Sequence, residues 1–322
     1  MSKRRPRNRP RRPPASRRGA TQPRAHRLTF TKMHGLGNDF MVVDAISQPV
    51  VLTRELIRQL GDRNRGVGFD QLLVVAPPDS PDADFNYQIF NADGGEVEHC
   101  GNGARCLARY VLDRGLTART PIRVKTRNRI LELHSYPDGT IQVAMGNPDF
   151  APAALPFVAE PAAQYQLQVA EPTEPSRQVE VTFQAVSMGN PHIVLTVDDC
   201  ENAPVGTVGA ALSVHSAFPQ QVNAGFMEIV DRSTIRLRVF ERGAGETQAC
   251  GTGACAAVVC GIQAGELDTP VQVHLRGGEL TIDWQGEGHP VLMTGPAATV
   301  FEGTVTLPLD QQASDTRPPS AR

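Results

Sequence analysis

Lysine is nearly missing from this 322-residue chain: Lys3, Lys32 and Lys125 are the only ones. Lys3 lies in an arginine-rich tail, Lys32 opens a glycine-rich motif and Lys125 falls in a strand pattern, which leaves little for a pyridoxal phosphate Schiff base. Long apolar runs are also missing, and none approaches the ~18–20 residues of a membrane helix. Acidic residues are absent from residues 1–27, which hold eleven Lys/Arg. The rest of the chain carries 21 basic and 34 acidic residues, a balance of −13, which argues against a nucleic-acid-binding globule. The six cysteines form no C-x-x-C pair and do not alternate with histidine at zinc-finger spacing, so no metal is expected. No secretory apolar stretch follows the basic start, and the reading is a cytoplasmic protein with free thiols.

What is present is a repeat. Asn91–Cys106 (NADGGEVEHCGNGARC) matches part of Glu241–Ile262 (ERGAGETQACGTGACAAVVCGI) at the constant offset of 150 that separates Cys100 from Cys250. Gly95, Glu96, Gly101, Gly103 and Ala104 align with Gly245, Glu246, Gly251, Gly253 and Ala254. Upstream, Phe85–Phe90 alternates as Ile235–Phe240 does. Asn38 stands 62 residues before Cys100 and Asn190 stands 60 before Cys250, both in Gly-Asn turns that enter strands. Each copy reads as strand, glycine-rich turn, cysteine, then a helix opening at Gly-x-Gly. Both helices, Ala104–Leu112 and Ala254–Ile262, are apolar around most of their circumference and are expected to be buried on all sides. With short strands on both flanks, each half reads as a curled sheet around one central helix.

Other features are local. Thr53 is expected to cap a helix over Thr53–Leu60, and Ala151–Gln178, rich in Pro, Ala and Glu, reads as a tolerant surface segment. Cys106, Cys255 and Cys260 lie within the apolar helices and read as packing residues, and Cys200 as incidental.

The chemistry follows from the cysteines. A thiol just before a helix N-terminus has its thiolate favoured by the macrodipole and by unpaired N–H groups. The same N–H groups can hold an anion, and Gly101 and Gly251 would let a ligand approach the backbone. Two such thiols facing across a cleft suit a two-base proton transfer, one thiolate removing an α-hydrogen while the other thiol delivers a proton.

MHGLGNDF, GVGFDQ, IFNADG, CGNGARC, SMGNPH, NAGFM and ERGAGETQACGTGAC stand in an order and spacing that resembles the diaminopimelate epimerase family, over Leu28 to Leu309. The resemblance implies an α+β fold of two similar domains, each a barrel-like, mostly antiparallel sheet around a central helix, with the site in the cleft between them. The domains would be 28–146, rejoined by a returning strand 296–309, and 147–295, with disordered tails at 1–27 and 310–322. It implies a cofactor-independent isomerase that interconverts LL- and meso-2,6-diaminopimelate in lysine and peptidoglycan-precursor biosynthesis, and a cytoplasmic homodimer with no membrane or nucleic-acid partner for the folded body. Cys100 and Cys250 match the paired acid and base. Asn38, Gln71, Asn91, Gly101, Asn102, Asn190, Asn223, Glu241, Arg242, Gly251 and Thr252 match the substrate contacts, and His192 and Glu241 match positions that tune the thiols. Thr252 keeps the hydroxyl of the family's more frequent serine, and His99 replaces a frequent glutamine beside Cys100. Two other classes stay open at this point: a two-thiol racemase of another amino acid such as proline, and a non-enzymatic thiol redox or nucleic-acid-binding protein that uses the basic tail.

Overall fold

A computed structural model describes residues 25–97, 100–170 and 178–308, so the expectations for 1–24, 309–322 and His99 lie outside the described residues. Along the first half run β1 (Ala25–Gly35), β2 (Asn38–Asp44), α1 (Arg54–Gly61), β3 (Gln71–Ala76), β4 (Phe85–Asn91), β5 (Glu96–Val97), α2 (Gly101–Asp113), β6 (Ile122–Lys125), β7 (Ile130–Ser135) and β8 (Ile141–Gly146). The second half continues with β9 (Tyr165–Ala170), β10 (Gln178–Ser187), β11 (Pro191–Thr196), α3 (Ala210–Ser213), β12 (Asn223–Asp231), β13 (Thr234–Glu241), β14 (Gly245–Glu246), α4 (Gly251–Gln263), β15 (Val271–Leu275), β16 (Gly278–Asp283) and β17 (Val291–Gly295). The last strand is β18 (Ala298–Pro308).

The repeat seen in the sequence is carried out pairing by pairing. In the first half β1–β2 is antiparallel, β2–β3 parallel, β3–β4 antiparallel, β4–β6 parallel, and β6–β7 and β7–β8 antiparallel. In the second half β10–β11, β11–β12, β12–β13, β13–β15, β15–β16 and β16–β17 follow the same sequence of directions. The halves join through one antiparallel ladder, in which Met293 of β17 pairs with Val143 of β8. β9 adds to β10. β18 adds to β1, where Phe301 meets Phe30 edge to face with ring centroids 5.9 Å apart.

Each half wraps its sheet around one helix. The period-two alternation of β4, β8, β13 and β17 turns one face of each strand inward, onto α2 or α4. Both helices are buried along most of their length, with Leu107, Ala108 and Val111 of α2 and Ala257, Val258 and Val259 of α4 out of contact with water. Burying each of the larger aliphatic side chains contributes roughly 1.5–3 kcal/mol. Both helices stop at a glycine with positive φ, Gly115 (+64°) and Gly265 (+74°), the conformation that lets the last turn close on its own carbonyls. One departure from the apolar pattern is Arg105, at 0 % exposure in α2.

The segment after β8 is not a surface spacer. Leu155, Phe157, Tyr165 and Val169 are buried with Phe183 and Phe218 in a second cluster under β9 and β10. Phe157 stacks on Phe218 at 4.6 Å between ring centroids. Tyr165, Leu167 and Val169 alternate with the period of a strand, a short signal that a reading by Pro, Ala and Glu content passed over.

Candidate active site

The cysteines come first because the helices fix them. Cys100 and Cys250 are the N-cap residues of α2 and α4, both with extended backbone. Each sulfur takes the N–H that a Ser or Asp side chain usually takes at this position: Gly103 N donates to Cys100 Sγ at 3.5 Å, and Gly253 N to Cys250 Sγ at 3.3 Å. Ahead of them the first-turn N–H groups of Gly101, Asn102, Gly251 and Thr252 have no intrahelical acceptor.

Both thiols line one cavity of about 1310 Å³. Asn38, Gln71, Asn91, Gly101, Asn102, Asn190, Asn223, Glu241, Arg242, Gly251 and Thr252 line it as well, so eleven positions scattered over 215 residues of chain are brought together. They gather because strand starts and ends meet at the same edge. Gln71 opens β3 and pairs in register with Asn91 at the end of β4, and Gln71 Nε2 donates to Asn91 Oδ1 at 3.0 Å. Asn223 opens β12 opposite His192, and its Oδ1 accepts from Arg242 N at 2.9 Å. Asn190 Nδ2 donates to Thr252 Oγ1 at 3.2 Å. The Arg242 guanidinium donates to Gln220 O at 3.0 Å.

The two thiols have different neighbours. Cys100 Sγ lies 3.7 Å from Asn38 Oδ1. Cys250 Sγ lies 3.6 Å from Thr252 Oγ1 and is near the Glu241 carboxylate. Glu241 also accepts from Thr247 Oγ1 at 2.5 Å. Burial pushes the Cys100 thiol up to about 11, with the Gly103 N–H and Arg105 pulling the other way and Glu241 adding to the rise. Burial and then Glu241 push Cys250 well above its usual range. The expected help from the helix ends is therefore present but outweighed: desolvation of a thiolate costs more than one N–H returns. Glu241 itself is raised by burial.

His192 is placed one hydroxyl away from Cys250 rather than against it. Its Nε2 lies 3.0 Å from Thr252 Oγ1, 3.1 Å from Asn190 Oδ1 and 3.4 Å from Asn223 Nδ2. Burial, then the nearby Arg242, press it down to about 3, so it is neutral at physiological pH. Gly101 and Gly251 line the cavity and also abut a core methionine. A Cβ on Gly101 would fall 2.5 Å from Met293 Cε, and one on Gly251 3.0 Å from Met293 Sδ. The missing side chains make room for a core methionine between the helix ends.

Four charged residues escaped the sequence reading. Asp70 Oδ2 accepts from Asn38 Nδ2 at 3.0 Å, and Arg63 Nη2 donates to Asp70 Oδ1 at 2.7 Å and to Asp39 Oδ1 at 2.8 Å. Lys32 Nζ donates to Asp39 Oδ2 at 2.6 Å. Arg63 and Lys32 hold the Asp39 carboxyl far below its usual range in spite of its burial. Asp39 and Asp70 each adjoin a residue singled out in the sequence, Asn38 and Gln71; Arg63 stands in a turn with no motif signal.

The diaminopimelate epimerase family profile matches residues 30–151 and 184–300. Diaminopimelate epimerase of Stutzerimonas stutzeri (strain A1501) is 57 % identical over 281 residues, covering 87 % of this chain and 99 % of that one. The Azoarcus sp. (strain BH72) enzyme is 58 % identical over 282 residues, covering 87 % and 99 %. Among solved structures, a hydroxyproline epimerase from Agrobacterium vitis superposes with a TM-score of 0.62 at 15 % identity, covering 88 % of this chain and 93 % of that one, a likeness of fold. The α+β architecture of two like sheets around central helices and the match over nearly the full length of these relatives lead to one assignment: the chain belongs to the diaminopimelate epimerase family.

Proposed function

We propose that this protein interconverts LL- and meso-2,6-diaminopimelate by two-base proton transfer between Cys100 and Cys250, without a cofactor, in the biosynthesis of lysine and peptidoglycan precursors. The observation that carries the reading is that two N-capping thiols line one cavity among polar side chains suited to a doubly zwitterionic substrate. The free N–H groups at both helix ends would take the carboxylate of the reacting centre. Arg242, Glu241 and the amides of Asn38, Gln71, Asn91, Asn190 and Asn223 would take the remaining charges.

With both thiols protonated in the open site, a base has to be generated. Glu241 is the acceptor in reach: Cys250 S–H passes its proton to the carboxylate, and the thiolate is stabilised by the incoming ammonium. The thiolate takes the α-hydrogen from one face, and Cys100 S–H gives its proton to the other face of the same carbon. Cys250 ends as the thiol and Cys100 as the thiolate. Glu241 holds the extra proton, which returns to Cys100 through solvent as product leaves. The reverse reaction runs from Cys100 as base. Water exclusion and the helix ends supply the stabilisation of the carbanionic transition state.

The domains would divide at 146/147, with 296–309 belonging to the first. The protein would act in the cytoplasm as a homodimer; the exposed Val300 and Phe301 on β18 favour a self-association surface there.

The test is conversion of LL- to meso-diaminopimelate by purified protein without added cofactor, with Cys100→Ala and Cys250→Ala alongside. Each variant should lose about 10²–10⁴-fold or more in turnover in both directions. Solvent deuterium should still enter the α-position from one face in a single-cysteine variant, with configuration retained. Substantial inversion by either variant would refute the two-thiol reading.

A further inference from the structure

Arg105 is the least exposed charged side chain among the described residues, and the proposed proton transfer does not use it. No acidic side chain among the described residues pairs with it. Burying an unpaired guanidinium is costly, and packing does not require it. At the matching position of α4 the chain places Cys255, equally buried and uncharged. Something other than core packing therefore accounts for the charge in α2.

Its hydrogen bonds say what. Arg105 Nη2 donates to Asn102 Oδ1 at 3.0 Å, and Nε donates to Pro296 O at 3.1 Å, in the link between β17 and β18. Nη1 reaches Met293 Sδ at 3.5 Å, the methionine that sits against both Gly101 and Gly251. Because the guanidinium only donates, Asn102 must turn its oxygen toward it and its amide nitrogen away. That nitrogen donates to Asn38 Oδ1 and to Ala249 O, each at 3.3 Å. From the opposite end Asp70, which only accepts, takes Asn38 Nδ2 and so turns Asn38 Oδ1 inward. Two ions thus fix the same polarity on two amides between them. Asn38 Oδ1 faces Cys100 Sγ, and Ala249 O belongs to the residue before Cys250.

We propose that Arg105 is a positioning residue for the epimerisation: its guanidinium locks the Asn102 amide, which clamps Asn38 beside Cys100 to the backbone beside Cys250. The two thiols are thereby held in one geometry across the two halves, as a transfer to opposite faces of one carbon demands. This inference rests on the two-thiol reading of the site. The charge also acts on its surroundings: Cys100, Cys106 and Cys255 face the guanidinium from α2 and α4, while Glu241 acts on Cys100 from β13 with the opposite sign.

The experiment compares the parent protein with Arg105→Met and Arg105→Lys in steady-state epimerisation from both stereoisomers, thermal melting, and peptide-resolved iodoacetamide alkylation of Cys100 and Cys250 against pH. Arg105→Met should fold and lose about 100-fold, mostly in kcat rather than KM, as a small misplacement of reacting groups does. Its Cys100 alkylation profile should move to higher pH by more than that of Cys250. Arg105→Lys keeps the charge but not the fork, so its Cys100 profile should stay near the parent's while kcat falls between the two. A folded Arg105→Met with parent kcat, or with both alkylation profiles unmoved, overturns the proposal. If Arg105→Met does not fold, Arg105→Lys decides, and parent kinetics there overturn the proposal. If neither variant folds, Arg105 is structural and the proposal fails. Failure of the two-thiol reading would show separately, as an inactive parent or as inversion by the cysteine variants.

Discussion

Superposed by their strand pairings, the two halves agree in scaffold and disagree in charge. Phe40 and His192 open the same ladder position, facing Gln71 and Asn223 respectively. Asn91 ends β4 where Glu241 ends β13, and Ala92 follows where Arg242 does. Asn102 corresponds to Thr252 and Arg105 to Cys255, by the offset of the cysteines. The first half thus places amides next to its thiol and meets the cavity farther out with Asp39, Asp70 and Arg63 bound to one another, keeping Arg105 in the core. The second half brings ions to positions that are uncharged in the first, Glu241 for Asn91 and Arg242 for Ala92. Duplication copied the device that presents a thiol at a helix end; divergence set oriented amides beside one thiol and a carboxylate beside the other. A reaction that treats two faces of a carbon alike still has to hold the reacting end of its substrate differently from the distal end.

The largest effect should come from Glu241→Gln. It removes the acceptor for the Cys250 proton while leaving a side chain of the same size, and turnover should fall about 10²-fold. The sign on the thiols is fixed by charge: Glu241 raises both, Cys250 foremost, so the variant should shift alkylation of Cys250 to lower pH and that of Cys100 by less. Equal shifts at both cysteines would mean that the asymmetry drawn above is false. Next is Arg242→Lys. A lysine cannot reproduce the two-pronged grip on a carboxylate, so KM should rise about tenfold with kcat less affected. Kinetics equal to the parent's would remove Arg242 from the carboxylate-binding role.

Much of this comparison is legible in the amino-acid sequence, because duplication writes itself into sequence at a fixed offset. The cysteines, their helices and the asparagines at strand starts all carry that signal. β18 and its return to β1 came from family resemblance, since no local pattern tells a strand which half to join. Arg105 was missed for a different reason. In CGNGARC it occupies a helical position where an arginine is ordinarily solvated, and only the three-dimensional packing of α2 against β17 closes off the water. Arg63 and Asp70 meet across a turn and a strand end, and the match between them is one of space, not of spacing.

A smaller effect sharpens the Phe40–His192 contrast. His192 is buried and its folded-state value, about 3, lies below the 6.5 of an open chain. Below pH 6.5 the unfolded chain therefore binds a proton that the folded protein refuses. The stability this histidine confers is complete above 6.5 and is lost as pH falls toward about 3. His192→Phe, which copies the first half, should make denaturant-measured stability less steep across that window, by up to about 1.4 kcal/mol per pH unit. Glu241, raised by burial, contributes with the opposite sign, so the comparison must be between variant and parent, where its contribution cancels. Identical slopes would show that His192 is not held neutral.

The smallest expected effect concerns the connections between the second and third strands of each half. In the first half that connection is α1, which buries Leu56, Ile57 and Leu60 and is opened by Thr53, whose hydroxyl accepts from Leu56 N at 3.2 Å. In the second half it is a π-helical turn, Val205–Gly209, running into the four-residue α3, with no side-chain cap at either start. A helix of eight residues is too short to persist on its own; it depends on its apolar face and on satisfying its first N–H groups. Thr53→Ala should therefore lower unfolding free energy by about 1 kcal/mol, and Thr53→Ser should recover most of it. Denaturant titration of the three proteins measures both. A Thr53→Ala protein as stable as the parent would mean that the cap contributes nothing, and that α1 is held by packing alone, as α3 is.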